Sequence, residues 1–195
     1  GGKYASDQIR AYYAAAPDIQ DHGILVALGL DRDLSDSPHA VTLLLEQPVT
    51  IAGQDRERLT FEHYSFDTGM APPGKSVLQV WLPSGYGYCR EIYDDSQRYR
   101  AAKERVAGEV IHQAERLYPG LRDQVEVVDV ATRVTIERYT GNWQGSEAWF
   151  APRNQIGVMM RGLSRTLPGL DRFHMVGQWA GAAGGLPMAA TSGRK

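Results

Sequence analysis

A chain of 195 residues has room for one domain, or one domain with an appendage, and 43% hydrophobic residues suffice to bury a core. The formal net charge of −2, with no basic stripe interleaved with aromatics, excludes nucleic acid as a partner and offers no attraction to an anionic membrane. A single cysteine, Cys89, rules out an internal disulfide and a cysteine-based zinc site; this fits a reducing, cytoplasmic setting.

In chain order, GGKYASDQIR has no apolar segment after a charged start and does not read as a signal peptide. Gly1-Gly2 and the abrupt Arg194-Lys195 read as the ends of an excised segment. Residues 7–16 predict a short helix with Ser6 or Asp7 as N-cap, stopped at Pro17. HGILVALGL (22–30) and AVTLLLEQ (40–47) are rich in branched apolar residues and predict strands, joined by the polar turn DRDLSDSP. LTFEHYSF (59–66) alternates, with Leu59, Phe61 and His63 on one face, and SVLQVWLP (76–83) predicts a further strand ended by Pro83.

Residues 95–118 give the clearest helix: Tyr99, Ala102, Val106, Val110, Ala114 and Leu117 recur at steps of three and four. Asp94, Asp95 and Ser96 suit its start and Pro119-Gly120 its end. VEVVDVA (125–131), RVTIERY (133–139) and FHMVGQ (173–178) predict strands. QIGVMMRGL (155–163) stays open between strand and helix, and LPMAATSGR predicts a short C-terminal helix. No apolar run approaches the ~18 residues of a membrane helix. The order does not alternate β with α, which argues against a doubly wound parallel sheet. The expected class is α+β: a mixed, largely antiparallel sheet with helices on one face.

Most catalytic signatures are missing. Gly85-Tyr86-Gly87-Tyr88-Cys89-Arg90 begins like a dinucleotide fingerprint but lacks its third glycine, and reads as a strand end plus loop. No G-x-x-x-x-G-K and no G-x-S-x-G occurs. His22, His39, His63, His112 and His174 have no metal spacing, and Asp31, Asp33 and Asp36 lack the glycine and terminal glutamate of a calcium loop. No metal site is expected. Tyr64, Trp81, Tyr86, Tyr88, Tyr139, Trp143 and Trp149 are candidate ligand-wall aromatics, though strand aromatics more often belong to a core or an edge.

The C-terminal stretch GQWAGAAGGLPMAATSGR, Gly177 to Arg194, remains. Gly184-Gly185 before a helix lets backbone approach a ligand closely, and amides at a helix start attract negative charge. A turn that only packs one element on another explains the same residues equally well.

LPGLDRFHMVGQWAGAAGGLPMAATSGR resembles the C-terminal flavin motif of the phytoene desaturase and carotenoid isomerase-like FAD-dependent oxidoreductases. FDTGMAPPGKSVLQVWLPSGYGY and YRAAKERVAGEVIHQAERLYPGLRDQVEVVDVATRVTIERYTGNWQGS resemble, in the same order, the family's substrate-domain strand pair and its long helix with the return toward the flavin. The resemblance implies a substrate-binding domain over 1–150 and a return segment over 151–195 that completes the FAD domain. The N-terminal part of that domain, with its G-x-G-x-x-G, is then missing from these residues. It implies FAD as cofactor, with Gly177 and Gln178 near the ribityl and pyrophosphate. Gly184, Gly185, Leu186, Pro187 and Met188 would lie at the helix that faces the isoalloxazine edge. Gln178 stands where many relatives carry an acid, and Met188 where they carry glycine.

The implied reaction is desaturation, saturation or isomerisation of a hydrophobic polyene or isoprenoid-like small molecule, and no catalytic residue is implied. The isolated chain is expected neither to retain FAD nor to turn over. Apolar surface left by the missing part is expected to favour a homo-oligomer, and a lipid-soluble substrate goes with peripheral membrane contact. The alternative is a stand-alone module that binds an apolar ligand or a protein without redox activity.

Overall fold

The computed structural model describes residues 3–15, 23–146, 164–180 and 185–194. The chain forms two compact units, one of Gly1–Ile19 with Ser146–Lys195, the other of Gln20–Gly145. We call them the terminal unit and the central unit.

The central unit is built on a five-stranded sheet: β1 (Ile24–Leu30), β2 (Ala40–Ile51), β3 (Gln54–His63), β4 (Ser76–Leu82) and β5 (Val125–Ala131). The strand order is β2-β3-β4-β1-β5 and every pairing is antiparallel. The α+β class read from the sequence is the class observed. β1 and β4 alternate strictly between buried and half-buried positions, as strands must when only one face is sealed. Val26 pairs with Val80 on one side and Val130 on the other, and Phe61 pairs with Val80. These four lie in one hydrophobic core with Leu28, Leu78 and Leu82. Each such side chain contributes about 1.5–3 kcal/mol on burial.

The long helix lies within the predicted range 95–118, over Ser96–Ala114. Asp95 caps it, its carboxylate accepting from the amides of Gln97 at 3.0 Å and Arg98 at 2.9 Å. Ala102, Val106, Val110 and Ala114 are buried along one stripe and join the core. Past its end, the Glu115 carboxylate accepts from the amides of Arg122 and Gly120, both at 2.8 Å. Those bonds hold its carboxyl below the usual range.

Three local expectations are corrected. Residues 85–90 do not form a strand end and loop. They open a helix, Tyr86–Tyr93, whose Cys89 and Ile92 are buried three positions apart on one side. Residues 133–139 form a helix, Arg133–Thr140, not a strand. Its β-branched residues favour a strand, but the ends decide otherwise. The Thr132 hydroxyl accepts from the Thr135 amide at 3.4 Å, and the Thr135 hydroxyl from the Thr132 amide at 3.2 Å. Gly141, at φ 70°, closes the other end. Residues 173–176 form no strand, and Gln178–Ala180 form a 3₁₀ turn. Phe173 and Val176 are exposed, and no strand among the described residues pairs with this run.

The helices of both units are numbered in chain order: α1 (Asp7–Ala14), α2 (Tyr86–Tyr93), α3 (Ser96–Ala114), α4 (Arg133–Thr140) and α5 (Gly185–Ser192). In the terminal unit, Ser6 is the N-cap of α1, and α5 occupies the predicted C-terminal helix. Residues 155–163 lie outside the described residues.

The α4 cap yields a direct expectation. Thr132 also meets the Tyr99 hydroxyl of α3 at 2.6 Å. Thr132→Ala should lower stability by about 1–2 kcal/mol, and Thr132→Ser should recover most of the loss. Urea denaturation of the two variants checks both; equal stability of Thr132→Ala and the parent would remove the cap as the reason for α4.

Candidate functional site

The C-terminal stretch is tied together by its own hydrogen bonds. Gly177, at φ 117°, donates its amide to the Ser192 hydroxyl at 2.7 Å. That hydroxyl donates to the Ala189 carbonyl at 2.7 Å, while Arg165 donates to the Ser192 carbonyl at 2.8 Å. The last turn of α5 is therefore pinned to the segment before the 3₁₀ turn. Among the described residues, a side chain added at Gly177 would meet nothing within 4 Å, and one at Gly185 only the Pro187 ring at 3.8 Å.

The predicted cofactor residues are thus placed as follows. Gly177 immediately precedes the 3₁₀ turn, and Gln178 begins it. Gly185, Leu186, Pro187 and Met188 lie in the first half of α5, with Leu186 strongly exposed. Gly184 lies outside the described residues. The Gly177 amide is already committed to Ser192, so any contact with an anion at this position would use other groups.

The same unit contains a cavity of about 500 Å³. Tyr4, Ile9 and Tyr13 come from α1 and the residues before it; Leu167, Met175 and Trp179 come from the C-terminal segment. The frame is fixed by hydrogen bonds. Arg10 donates to the carbonyls of Ala5 at 3.1 Å and Lys3 at 3.4 Å. Met175 donates its amide to the Arg165 carbonyl at 2.7 Å. Burial pushes the Tyr13 hydroxyl above its ordinary pKa. None of these residues was a sequence candidate, because nothing local links position 4 to position 179.

In the central unit the aromatic candidates do not converge. Trp81 is half-buried on β4, on the sheet face opposite the core. Tyr86 and Tyr88 pack against the core from α2. The Tyr86 hydroxyl donates to Glu137 of α4 at 2.6 Å, and burial with that carboxylate pushes its pKa up to about 12. Tyr64 accepts from the Gln79 amide at 3.0 Å, Tyr139 is exposed, and Trp143 sits in a 3₁₀ turn. Trp149 lies outside the described residues.

Several titratable groups of this unit have structural partners. His63 is buried, and Nε2 donates to the carbonyls of Ser37 at 3.2 Å and Pro38 at 3.0 Å. Its Nδ1 accepts from the Ser65 amide at 3.3 Å, so both ring nitrogens are engaged. Burial pushes the Cys89 thiol pKa up, the opposite of an activated nucleophile. Asp33 accepts from the Ser35 amide at 2.8 Å in a local turn, and Asp31 pairs with Lys75 at 3.4 Å. Among the described residues no group of histidine, cysteine and acidic side chains could hold a metal ion. Among them, too, no helix is long and apolar enough to cross a membrane.

No family model matches the chain. Over 98 residues, 48% of its length, the chain is 30% identical to an all-trans-retinol 13,14-reductase of Danio rerio. The likeness is to an oxidoreductase. The chain spans about 15% of the length of that curated relative. The relative is named for a reaction on all-trans-retinol.

Proposed function

We propose that this chain is part of a flavin-dependent oxidoreductase that desaturates, saturates or isomerises a hydrophobic polyene or isoprenoid-like substrate. The identity with the retinol reductase carries this reading. Further support comes from Gly177 and Gly185, where, among the described residues, the absence of side chains leaves room for a flat ring system. Residues 1–150 would contribute to substrate binding and 151–195 to the flavin side of the site.

FAD would be held here by Gly177 and Gln178 toward the ribityl chain, and by Gly184, Gly185, Leu186, Pro187 and Met188 at the ring edge. Bound flavin supplies hydride chemistry that side chains cannot. The chain's own contribution is to position an apolar substrate and to keep water from it. The start of α5 would lie at that edge, where its free amides, other than Pro187, which has none, would favour partial negative charge.

These 195 residues contain no complete G-x-G-x-x-G, so the pyrophosphate would be held by a βαβ unit outside them. The polypeptide alone should therefore not retain FAD. Incubation with excess FAD, desalting and a visible absorbance spectrum test this: only traces of flavin are expected. Retention near one flavin per chain would sink the split-site reading. A reading frame that extends upstream through a G-x-G-x-x-G, and whose full product binds FAD and is bleached on reduction, is the supporting outcome.

A further inference from the structure

We propose that the space where α3, α4 and β5 meet in the central unit binds a small phosphate monoester that also carries hydroxyl groups, a ligand of the sugar-phosphate kind. None of its residues is among those assigned to flavin above, and such a ligand is not the apolar substrate proposed there, so the two readings fail separately.

Two adjoining cavities, of about 470 Å³ and 670 Å³, share Tyr93, Tyr99, Lys103, Asp129 and Arg138 in their walls. Each falls in the range of small-molecule sites, roughly 300–1,000 Å³. β5 is an edge strand, so among the described residues no further strand fills the space beside it. Tyr99 and Lys103 stand four apart on α3, and Thr135 and Arg138 three apart on α4, so each pair shares a helix face. The Tyr99 hydroxyl meets the hydroxyls of Thr132 at 2.6 Å and Thr135 at 3.1 Å. These bonds join the two faces and set Lys103 and Arg138 against one space before a ligand arrives.

Lys103 is half-buried. Its ammonium lies 5.5 Å from the Tyr99 ring centroid, and the Arg138 guanidinium 4.8 Å from that of Tyr139. Among the described residues neither cation has an ion pair or a hydrogen bond. The larger cavity adds Arg100 and Glu104, one charge of each sign, and Asp94, whose carboxylate accepts from Arg90 at 2.9 Å. Two cations facing one space without a counter-ion attract an anion, here on a chain whose net charge is −2. An arginine fork and a lysine point charge are the donors that hold phosphate oxygens. Asp129 selects the other end of the ligand. Its carboxylate accepts and does not donate, so it repels a second anionic group and suits hydroxyls. The Tyr93 and Tyr99 rings, edge to face at 5.2 Å, supply flat apolar surface for the carbon skeleton.

Calorimetric titration of the purified chain with ribose 5-phosphate, ribose and inorganic phosphate tests the assignment. Ribose 5-phosphate should bind saturably and about tenfold more tightly than inorganic phosphate, and ribose alone should give no measurable binding. Lys103→Gln and Arg138→Gln should each weaken ribose 5-phosphate about tenfold or more, while circular dichroism stays that of the parent. Arg105→Gln, at an exposed position of α3 that lines neither cavity, should leave binding unchanged. Asp129→Ala should remove most of the preference for ribose 5-phosphate over phosphate, a ratio that a purely structural role would not move.

The proposal is overturned if ribose 5-phosphate does not bind saturably, or if either cation can be removed without loss. It is overturned too if Arg105→Gln weakens binding as much, since the attraction would then come from the general charge of the chain. Equal binding of phosphate and ribose 5-phosphate, or a ratio untouched by Asp129→Ala, would remove the hydroxyl-bearing ligand.

Discussion

Gly23→Ala should cost the central unit about 3 kcal/mol or more in stability, enough to lower its thermal midpoint by many degrees. Gly23 immediately precedes β1 and has φ 72°, where an L side chain is strained by about 1–2 kcal/mol. Space is the larger problem. A Cβ there would stand 2.2 Å from the Ser84 nitrogen and 2.4 Å from the Leu82 oxygen. Both are backbone atoms at the junction of β4 and α2, and neither can rotate away. Relief requires the end of β1 to part from β4, where Ile24 pairs with Leu82. Gly74→Ala is the matched control. It too has positive φ, at 78°, but no atom lies within 4 Å of its added carbon. Thermal unfolding of the two variants separates strain from collision, and equal midpoints would refute the packing described for Gly23.

Phe61→Ala should cost about 3–5 kcal/mol, the sum of lost transfer energy and an unfilled cavity. Phe61 is 1% exposed and lies between Val41 on β2 and Val80 on β4 in the sheet register. Its own strand, β3, is fixed by ladders on both sides, so the core has little freedom to collapse into the space. Leu44→Ala, at a position 72% exposed on β2, should change stability by no more than about 0.5 kcal/mol. Guanidinium denaturation of both variants checks the assignment of faces. A reversal of their order would mean that β2 or β3 is shifted by one residue.

The central unit was largely legible because its elements carry their own periodicity. Ile24, Val26, Leu28 and Leu30 alternate, and Ala102, Val106, Val110 and Ala114 step by four. The extent of β2 and β3 was less visible. Their turn uses Ala52 at φ 54° with Gly53 at φ 74°, and alanine gives no turn signal of the kind asparagine gives. Val134, Thr135 and Ile136 favour a strand as isolated residues, yet a capping box and a terminal glycine make them α4. In the terminal unit, Phe173 to Val176 is apolar enough for a strand, but pairing depends on a partner that no local pattern reveals. Of the site, the glycines of the C-terminal stretch stood out by composition. The cavity did not, since Tyr4 and Trp179 become neighbours of one space only through the fold.

The division into units has a consequence for the order in which the molecule is made. The central unit is one unbroken stretch, whereas the terminal unit needs both Gly1–Ile19 and Ser146–Lys195. During synthesis α1 emerges before the central sheet and must wait, with its apolar side uncovered, while that whole sheet is translated. The central unit closes its own contacts and can fold on the ribosome as a finished body. That folding replaces a long flexible loop by a compact insert and reduces the entropy lost when Ser146–Lys195 arrive to join α1. A chaperone that shields apolar segments would have its clearest client here in the waiting α1, and a mutation that slows the central sheet would prolong that exposure without altering any residue of the terminal unit.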